Sequence, residues 1–227
     1  MLKFYYNAAP NPMKVALLLE ELGTPYEAIP VDPRRGEQFK PDYLALNPNA
    51  KVPTIVDDGV PVFDSNAILM YLAEKTGRFL PPQGAAHRAE LLSWMMFVAT
   101  GVGPFCGQAV HFRHFAPEQV PYAQKRYQFE ARRHFGILDQ RLAERQFLVG
   151  NTYTIADMSF WSWSRMAPFI MGDEAWTLFP NVKRFHDEIA KRPAAQKAAA
   201  LKDRHAFKAE IDEETRSNMF RHLAVPG

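Results

Sequence analysis

The chain has 227 residues, 47% of them hydrophobic and 23% charged, with a formal net charge of +2 and a single cysteine. Its lysines and arginines are scattered and their excess is small, so a nucleic-acid partner is not expected, and one cysteine excludes both an internal disulfide and a cysteine-based metal cluster. No apolar run is read as reaching the roughly 18 residues of a membrane span, and Leu2-Lys3-Phe4 follows Met1 with no charged leader, which predicts a cytoplasmic protein with no membrane partner.

Residues 1–80 alternate strand and helix. Leu2, Phe4 and Tyr6 alternate with Lys3 and Tyr5, the period of a half-buried strand. Val15, Leu18, Leu19 and Leu22 then recur at helical spacing, and Gly23 ends that helix. Tyr26 to Val31 reads as a second strand, closing a β-α-β unit and implying a parallel pair. After a polar loop, Thr54–Val56 and Pro61–Phe63 flank Asp57-Asp58-Gly59, a hairpin signal. A helix over 65–76 completes a small mixed sheet flanked by helices.

Residues 81–86, opening on Pro81-Pro82-Gln83-Gly84, form the expected linker. Residues 87–207 read as all-helical: a long helix over 87–110 with a bend at Gly101, Gly103 and Pro104, then helices over 121–142, 155–168 and 181–192. Residues 208–227 form a charged tail without a clear end. Thr154-Ile155-Ala156-Asp157 is a variant capping box with an acid at the third helical position, a structural feature.

Two short motifs carry chemistry. In Val52-Pro53, just before an apolar strand, proline withholds a donor and leaves neighbouring peptide groups free to pair with something other than the sheet. Asp64-Ser65 opens a helix whose free N–H groups and dipole favour a carboxylate. An acid beside an anion site suits a free amino-acid end, with its ammonium and its carboxylate. Other candidates read as structural. His111 and His114 lack a carboxylate or cysteine at ligand spacing and flank Arg113, so no metal is expected. Cys106 reads as a small buried hydrophobe, and Trp161, Trp163, Met166 and Phe169 as core.

A β-α-β-β-β-α domain with Val-Pro before its third strand, followed by an all-helical domain, resembles the cytosolic glutathione transferases. The motifs are Asn47-Pro48-Asn49, Val52-Pro53, Asp64-Ser65, the Thr154–Asp157 box, and Asn181-Val182 with Arg192-Pro193. Pro10-Asn11, Gly36-Glu37-Gln38-Phe39, and Ala116-Pro117 with Pro121-Tyr122-Ala123 and Arg126-Tyr127 resemble the bacterial nu class, relatives of the yeast prion-forming transferase-like proteins. The resemblance implies a thioredoxin-like α/β N-terminal domain, an all-α C-terminal domain and a homodimer. It implies one or two glutathione molecules, or a glutathione disulfide, per site. Activity on a small disulfide or electrophile follows, with disulfide reduction as the main chemistry and detoxification as a role. Carried over by position, the Val52 backbone, beside Pro53, pairs with the cysteinyl group of glutathione. Asp64 holds the γ-glutamyl ammonium and Ser65 its carboxylate. Gln38 and Lys51 face the glycyl end, with a solvated loop as the alternative for both. Arg133, ahead of Arg132, meets the carboxylates of a second glutathione, with a solvated helix face as the alternative.

The same resemblance makes Asn11 the donor that stabilises the glutathione thiolate. Two residues earlier the class pattern usually has threonine and this chain has Ala9, whose methyl group cannot donate; Asn7 or a backbone N–H is the available substitute. Tyr5 is the competing donor, because other transferase classes use a tyrosine near the end of strand one. Tyr5 and Tyr6 point to opposite faces, and Tyr5 reads as a packing residue. The alternative to an enzyme is a glutathione-binding carrier with little turnover.

Overall fold

The computed structural model describes residues 1–221, which form two compact units: Met1–Tyr71 with the chain from Gln196 onward, and Leu72–Ala195. In the first unit, β1 (Leu2–Tyr6), α1 (Pro10–Leu22) and β2 (Tyr26–Pro30) are followed by α2 (Pro41–Leu46), β3 (Thr54–Asp57), β4 (Val60–Phe63) and the start of α3 (Ser65–Thr76). The sheet order is β2-β1-β3-β4, with β1 parallel to β2 and β3 antiparallel to both β1 and β4. Leu2, Phe4 and Tyr6 are buried, as the alternation requires. Asp58 and Gly59 both have positive φ (49° and 86°), the mirror-image turn whose twist suits a two-residue hairpin.

α1 departs from a simple amphipathic helix. Every residue from Pro12 to Leu19 is buried, Lys14 among them, so the expected stripe is a helix covered on all sides along that stretch. α2 occupies what reads in sequence as a polar loop; Pro41 at its first position supplies the start signal.

The second unit is helical. The expected helix over 87–110 runs further, through α4 (Ala85–Met96), a π-helical turn (Phe97–Val102), α5 (Gly103–Val110) and a second π-helical turn (His111–Phe115). The first has a local cause: Pro104 has no N–H to return to the carbonyl four residues back, and Gly103 N–H reaches Val98 O, five residues back. By length and composition this helix could cross a membrane, which corrects the reading that no apolar run is long enough. One face of it is buried: Leu91, Met95, Val98, Val102, Cys106 and Ala109, spaced three or four apart. At the first π turn Gly101 lies against His134, where an added Cβ would come within 2.5 Å of Nε2. Gly101→Ala is therefore expected to destabilise the protein by about 1–3 kcal/mol, read as a lower urea midpoint at unchanged slope.

α6 (Pro121–Ala143), α7 (Ile155–Ser164) and α10 (Pro180–Ala190) complete the helical core, with α8 (Ala167–Met171) and α9 (Ala175–Leu178) between them. The capping box at Thr154 is formed. Asp139 on α6 accepts the N–H groups of Asn181 and Val182 at 2.8 and 2.9 Å, capping α10 from a neighbouring helix. In the first unit, beyond α11 (Pro193–Ala200), α12 (Glu213–Met219) packs against the turn at Pro33–Arg35.

Candidate functional site

Three segments leave the sheet at one end. Tyr5 of β1 pairs with Thr54, the first residue of β3, and Thr54 pairs with Phe63, the last of β4. The chain entering α1 (Asn7–Asn11), the chain entering β3 (Lys51–Pro53) and the start of α3 (Asp64–Ser65) therefore sit together.

At the first of these, the sequence Ala9-Pro10-Asn11-Pro12 concentrates donors on one residue. Ala9 N–H is used by Asn7 Oδ1 at 2.9 Å, Pro10 and Pro12 have none, and Met13 N–H returns to Ala9 O. Asn11 thus offers the one uncommitted backbone N–H of the first turn together with a part-exposed side-chain amide, and neither has a partner among the described residues. A 13-residue helix focuses its dipole there as well. Asn7 does not replace a threonine hydroxyl through its oxygen, which is committed to Ala9. The tyrosines are also committed. Tyr6 OH donates to Leu201 O at 2.9 Å and lies 2.8 Å from His205 Nδ1. Tyr5 stands on the opposite sheet face with its ring 5.7 Å from that of Tyr43, lining a cavity of about 210 Å³ with Ile29 and Lys40.

At the second segment, buried Tyr43 and Asn47 both donate to Lys51 O, at 2.8 and 2.6 Å, and both reach Thr54 Oγ1, at 2.9 and 3.1 Å. This brace holds the Val52-Pro53 turn, whose peptide bond is cis. The Val52 N–H and C=O have no partner among the described residues and are free to pair with an extended peptide. Lys51 itself is exposed.

At the third segment, Asp64 has φ 68°, a left-handed conformation that aspartate tolerates better than most residues. Its Oδ1 accepts Asn66 N–H at 2.8 Å and Ala67 N–H at 3.1 Å, capping α3. The side chain is otherwise exposed, which leaves its charge available to a cation. Ser65 is buried, and its Oγ accepts Lys14 Nζ at 3.2 Å. That bond joins α1 to α3. Asn11 lies three residues before Lys14, one helical turn nearer the N-terminus and on the same face.

Gln38 is also buried, with its amide nitrogen 3.3 Å from Pro33 O and 3.5 Å from Asn218 O; its Oε1 has no partner. The C-terminal segment covers it: Asn218 donates to Arg34 O, Lys208 N–H donates to Asp32 Oδ2, and the Arg221 guanidinium lies 4.3 Å from the Phe39 ring centre. In the helical unit, Arg133 donates to the buried Glu130 at 2.8 Å and contacts His134 Nε2 at 3.2 Å; with Arg126 it holds the Glu130 carboxyl below the usual carboxylate range. Arg132 pairs instead with Glu174. Cys106 is fully buried, and burial pushes its thiol up, away from reactivity. His114 is stacked on Phe169 and bonded to Phe169 O, and the described residues hold no cluster of potential metal ligands.

Residues 2–74 match the family model of the glutathione S-transferase N-terminal domain, and residues 110–198 match that of the C-terminal domain. The chain belongs to the glutathione S-transferase family. The mixed sheet followed by a helical region is the fold of that family. The chain is 41% identical, over 87% of its length and 94% of the relative's, to the disulfide-bond oxidoreductase YfcG of Escherichia coli K12. Among solved structures, it is 39% identical to a glutathione transferase from Burkholderia graminis described with two glutathione molecules bound per subunit, at TM-score 0.81 with 90% of this chain and 89% of that one covered. A Pseudomonas putida transferase described with one glutathione disulfide per subunit is 36% identical at TM-score 0.80, covering 88% and 91%.

One buried residue beside the candidate site lies outside the sequence motifs: Lys14. A single charge inside the unbroken run Pro12–Leu19 was the available signal, since a lysine in an otherwise apolar helix has no solvent face to occupy.

Proposed function

We propose that this transferase binds glutathione at the convergent end of the sheet and uses its thiolate to reduce small disulfides in the cytoplasm, in the manner of the nu class. The observation that carries this reading is the focusing of donors on Asn11 beside a site with the polarity of an amino-acid end. The Val52 backbone pairs with the cysteinyl residue, flanked by Pro53. Asp64 holds the γ-glutamyl ammonium, and Ser65, through its hydroxyl and N–H, holds the carboxylate. Lys51 serves the glycyl end, joined by Gln38 when its amide exchanges Pro33 O and Asn218 O for the ligand carboxylate. Arg133, exchanging Glu130 for a ligand carboxylate, serves a second glutathione.

A free thiol has a pKa near 8.5, so lowering it by about two units needs roughly 2.7 kcal/mol of thiolate stabilisation. A sheltered helix N-terminus supplies up to about 2 kcal/mol, and a hydrogen bond to a charged acceptor about 1.5–3 kcal/mol. Asn11 brings both to one position, and together they suffice. The thiolate then attacks a disulfide, forming a mixed disulfide and releasing one thiolate leaving group. A second glutathione thiolate resolves the mixed disulfide, giving glutathione disulfide and the second leaving thiolate. The thiolate also supports slower conjugation of electrophiles, a detoxifying role. Exposed Val60 and Phe63 on β4, and exposed Tyr122 and Phe129 on α6, support a homodimer.

Ala9 favours a second reading, a glutathione-binding carrier with little turnover, because the hydroxyl usual at that position is missing. Reduction of hydroxyethyl disulfide by glutathione, coupled to a nicotinamide reporter, separates the two. The enzyme reading expects saturable turnover on the order of 1–100 s⁻¹. Tight glutathione binding without turnover leaves only the carrier, and no binding removes both. Cys106→Ala is expected to change disulfide turnover by less than about twofold, and the native wild-type thiol is expected to resist an aromatic disulfide reagent until the protein is denatured.

A further inference from the structure

Lys14 has no solvent to serve. Its side chain is 1% exposed, and its hydrogen bond among the described residues is the one from Nζ to Ser65 Oγ. An ammonium has three donors and no acceptor, whereas a hydroxyl has one donor and two acceptor sites. While Lys14 is protonated, Ser65 Oγ must accept from it, and the serine proton turns away from the lysine. A neutral lysine amine can accept instead and draw that proton inward.

We propose that Lys14 is a positioning residue whose ammonium form aims the Ser65 hydroxyl proton at the ligand's γ-glutamyl carboxylate and adds buried positive charge behind it, so that ligand binding is linked to a proton on Lys14. The proposal rests on the assignment of Ser65 to that carboxylate. It does not involve the thiol. Burial pushes the Lys14 ammonium down to about 7, and Asp64, at the start of α3, is the ionisable neighbour that opposes the shift. The protonated state is therefore only partly populated in the free protein near neutral pH. A carboxylate arriving at Ser65 favours the ammonium, and the ligand's own ammonium is met by Asp64. Binding draws a proton onto Lys14.

Calorimetric titration with S-methylglutathione, whose thiol cannot ionise, tests this between pH 6 and 8. With a starting midpoint near 7, the wild-type dissociation constant is expected to weaken roughly tenfold from pH 6 to pH 8. Lys14→Met, which fills the same apolar volume, and Ser65→Ala are each expected to bind weakly and with a flat pH profile. An independent readout needs no variant: in buffers of different ionisation enthalpy, the wild-type protein is expected to take up more than about half a proton per ligand at pH 7.5. A flat wild-type profile without proton uptake overturns the proposal, as does a Lys14→Met variant that keeps the wild-type slope. Those outcomes leave the glutathione site standing. Failure of the wild-type protein to bind S-methylglutathione at any pH removes the site itself, and the role of Lys14 with it.

Discussion

In an Asn11→Ala variant, glutathione-dependent disulfide reduction is expected to fall several-fold at pH 7, to cross the wild-type rate at about pH 7.5–8 and to exceed it at pH 9. The thiol of bound glutathione loses a charge-assisted hydrogen bond of about 1.5–3 kcal/mol, which moves its pKa up by roughly one to two units. With a two-unit shift, from about 6.5 to 8.5, the thiolate fraction at pH 7 drops about 25-fold. The rate falls by less, because the more basic thiolate is the better nucleophile; with a Brønsted slope of about 0.4–0.5 the same shift returns a factor of roughly 6–10. Ionisation wins at pH 7 and nucleophilicity wins at pH 9, so the two pH–rate profiles cross. A Tyr5→Phe variant is expected to superimpose on wild type, since the Tyr5 ring stands on the other sheet face against Tyr43. A profile moved by Tyr5→Phe and untouched by Asn11→Ala reverses the assignment of the donor.

The largest expected loss of stability lies in the helical unit. Asp157 is fully buried and accepts three hydrogen bonds, from Leu148 N–H at 2.8 Å, Thr154 N–H at 2.8 Å and Thr154 Oγ1 at 3.1 Å. Asp157→Ala strands two buried backbone donors, each costing about 1–3 kcal/mol, and dissolves the cap of α7. The expected loss is about 3–5 kcal/mol, or a melting temperature lower by roughly 10 °C, measured by circular dichroism. Burial pushes the Asp157 carboxyl up to about 7. A carboxyl raised above its unfolded value contributes stability that is complete below the unfolded pKa and is lost as pH rises through the folded one. The gap between wild type and Asp157→Ala is therefore expected to be widest below about pH 4, to narrow steadily toward pH 7 and to be narrowest above about pH 8. A gap that widens with pH contradicts this ordering.

The fold was legible wherever local chemistry decides it. Alternation fixed the buried face of β1, Asp58-Gly59 set the hairpin, and Thr154–Asp157 marked the start of α7. These signals lie within a few residues of what they control. The candidate binding motifs were legible for the same reason: Val52-Pro53 and Asp64-Ser65 are short segments whose backbone is constrained by their own residues. The sheet register that joins them to Asn11 was not legible, since it depends on pairing between distant strands. Nor was the course of the C-terminal segment, whose ties are to loop groups: Arg34 donates to Lys208 O at 3.0 Å, and Gln38 Nε2 lies 3.5 Å from Asn218 O. Such contacts leave no periodicity in either partner. The prolines flanking Asn11 were visible throughout. Their consequence appears only when the first turn's donors are counted one by one.

On the function proposed above, the end of the sheet converging on Asn11 turns a bound thiol into a thiolate. Ultraviolet difference titration of the wild-type protein saturated with glutathione, following thiolate absorbance from pH 5 to 10, tests it without any variant. A thiolate band with a midpoint about two units below that of free glutathione is expected. A midpoint at the free value, with glutathione fully bound, contradicts it.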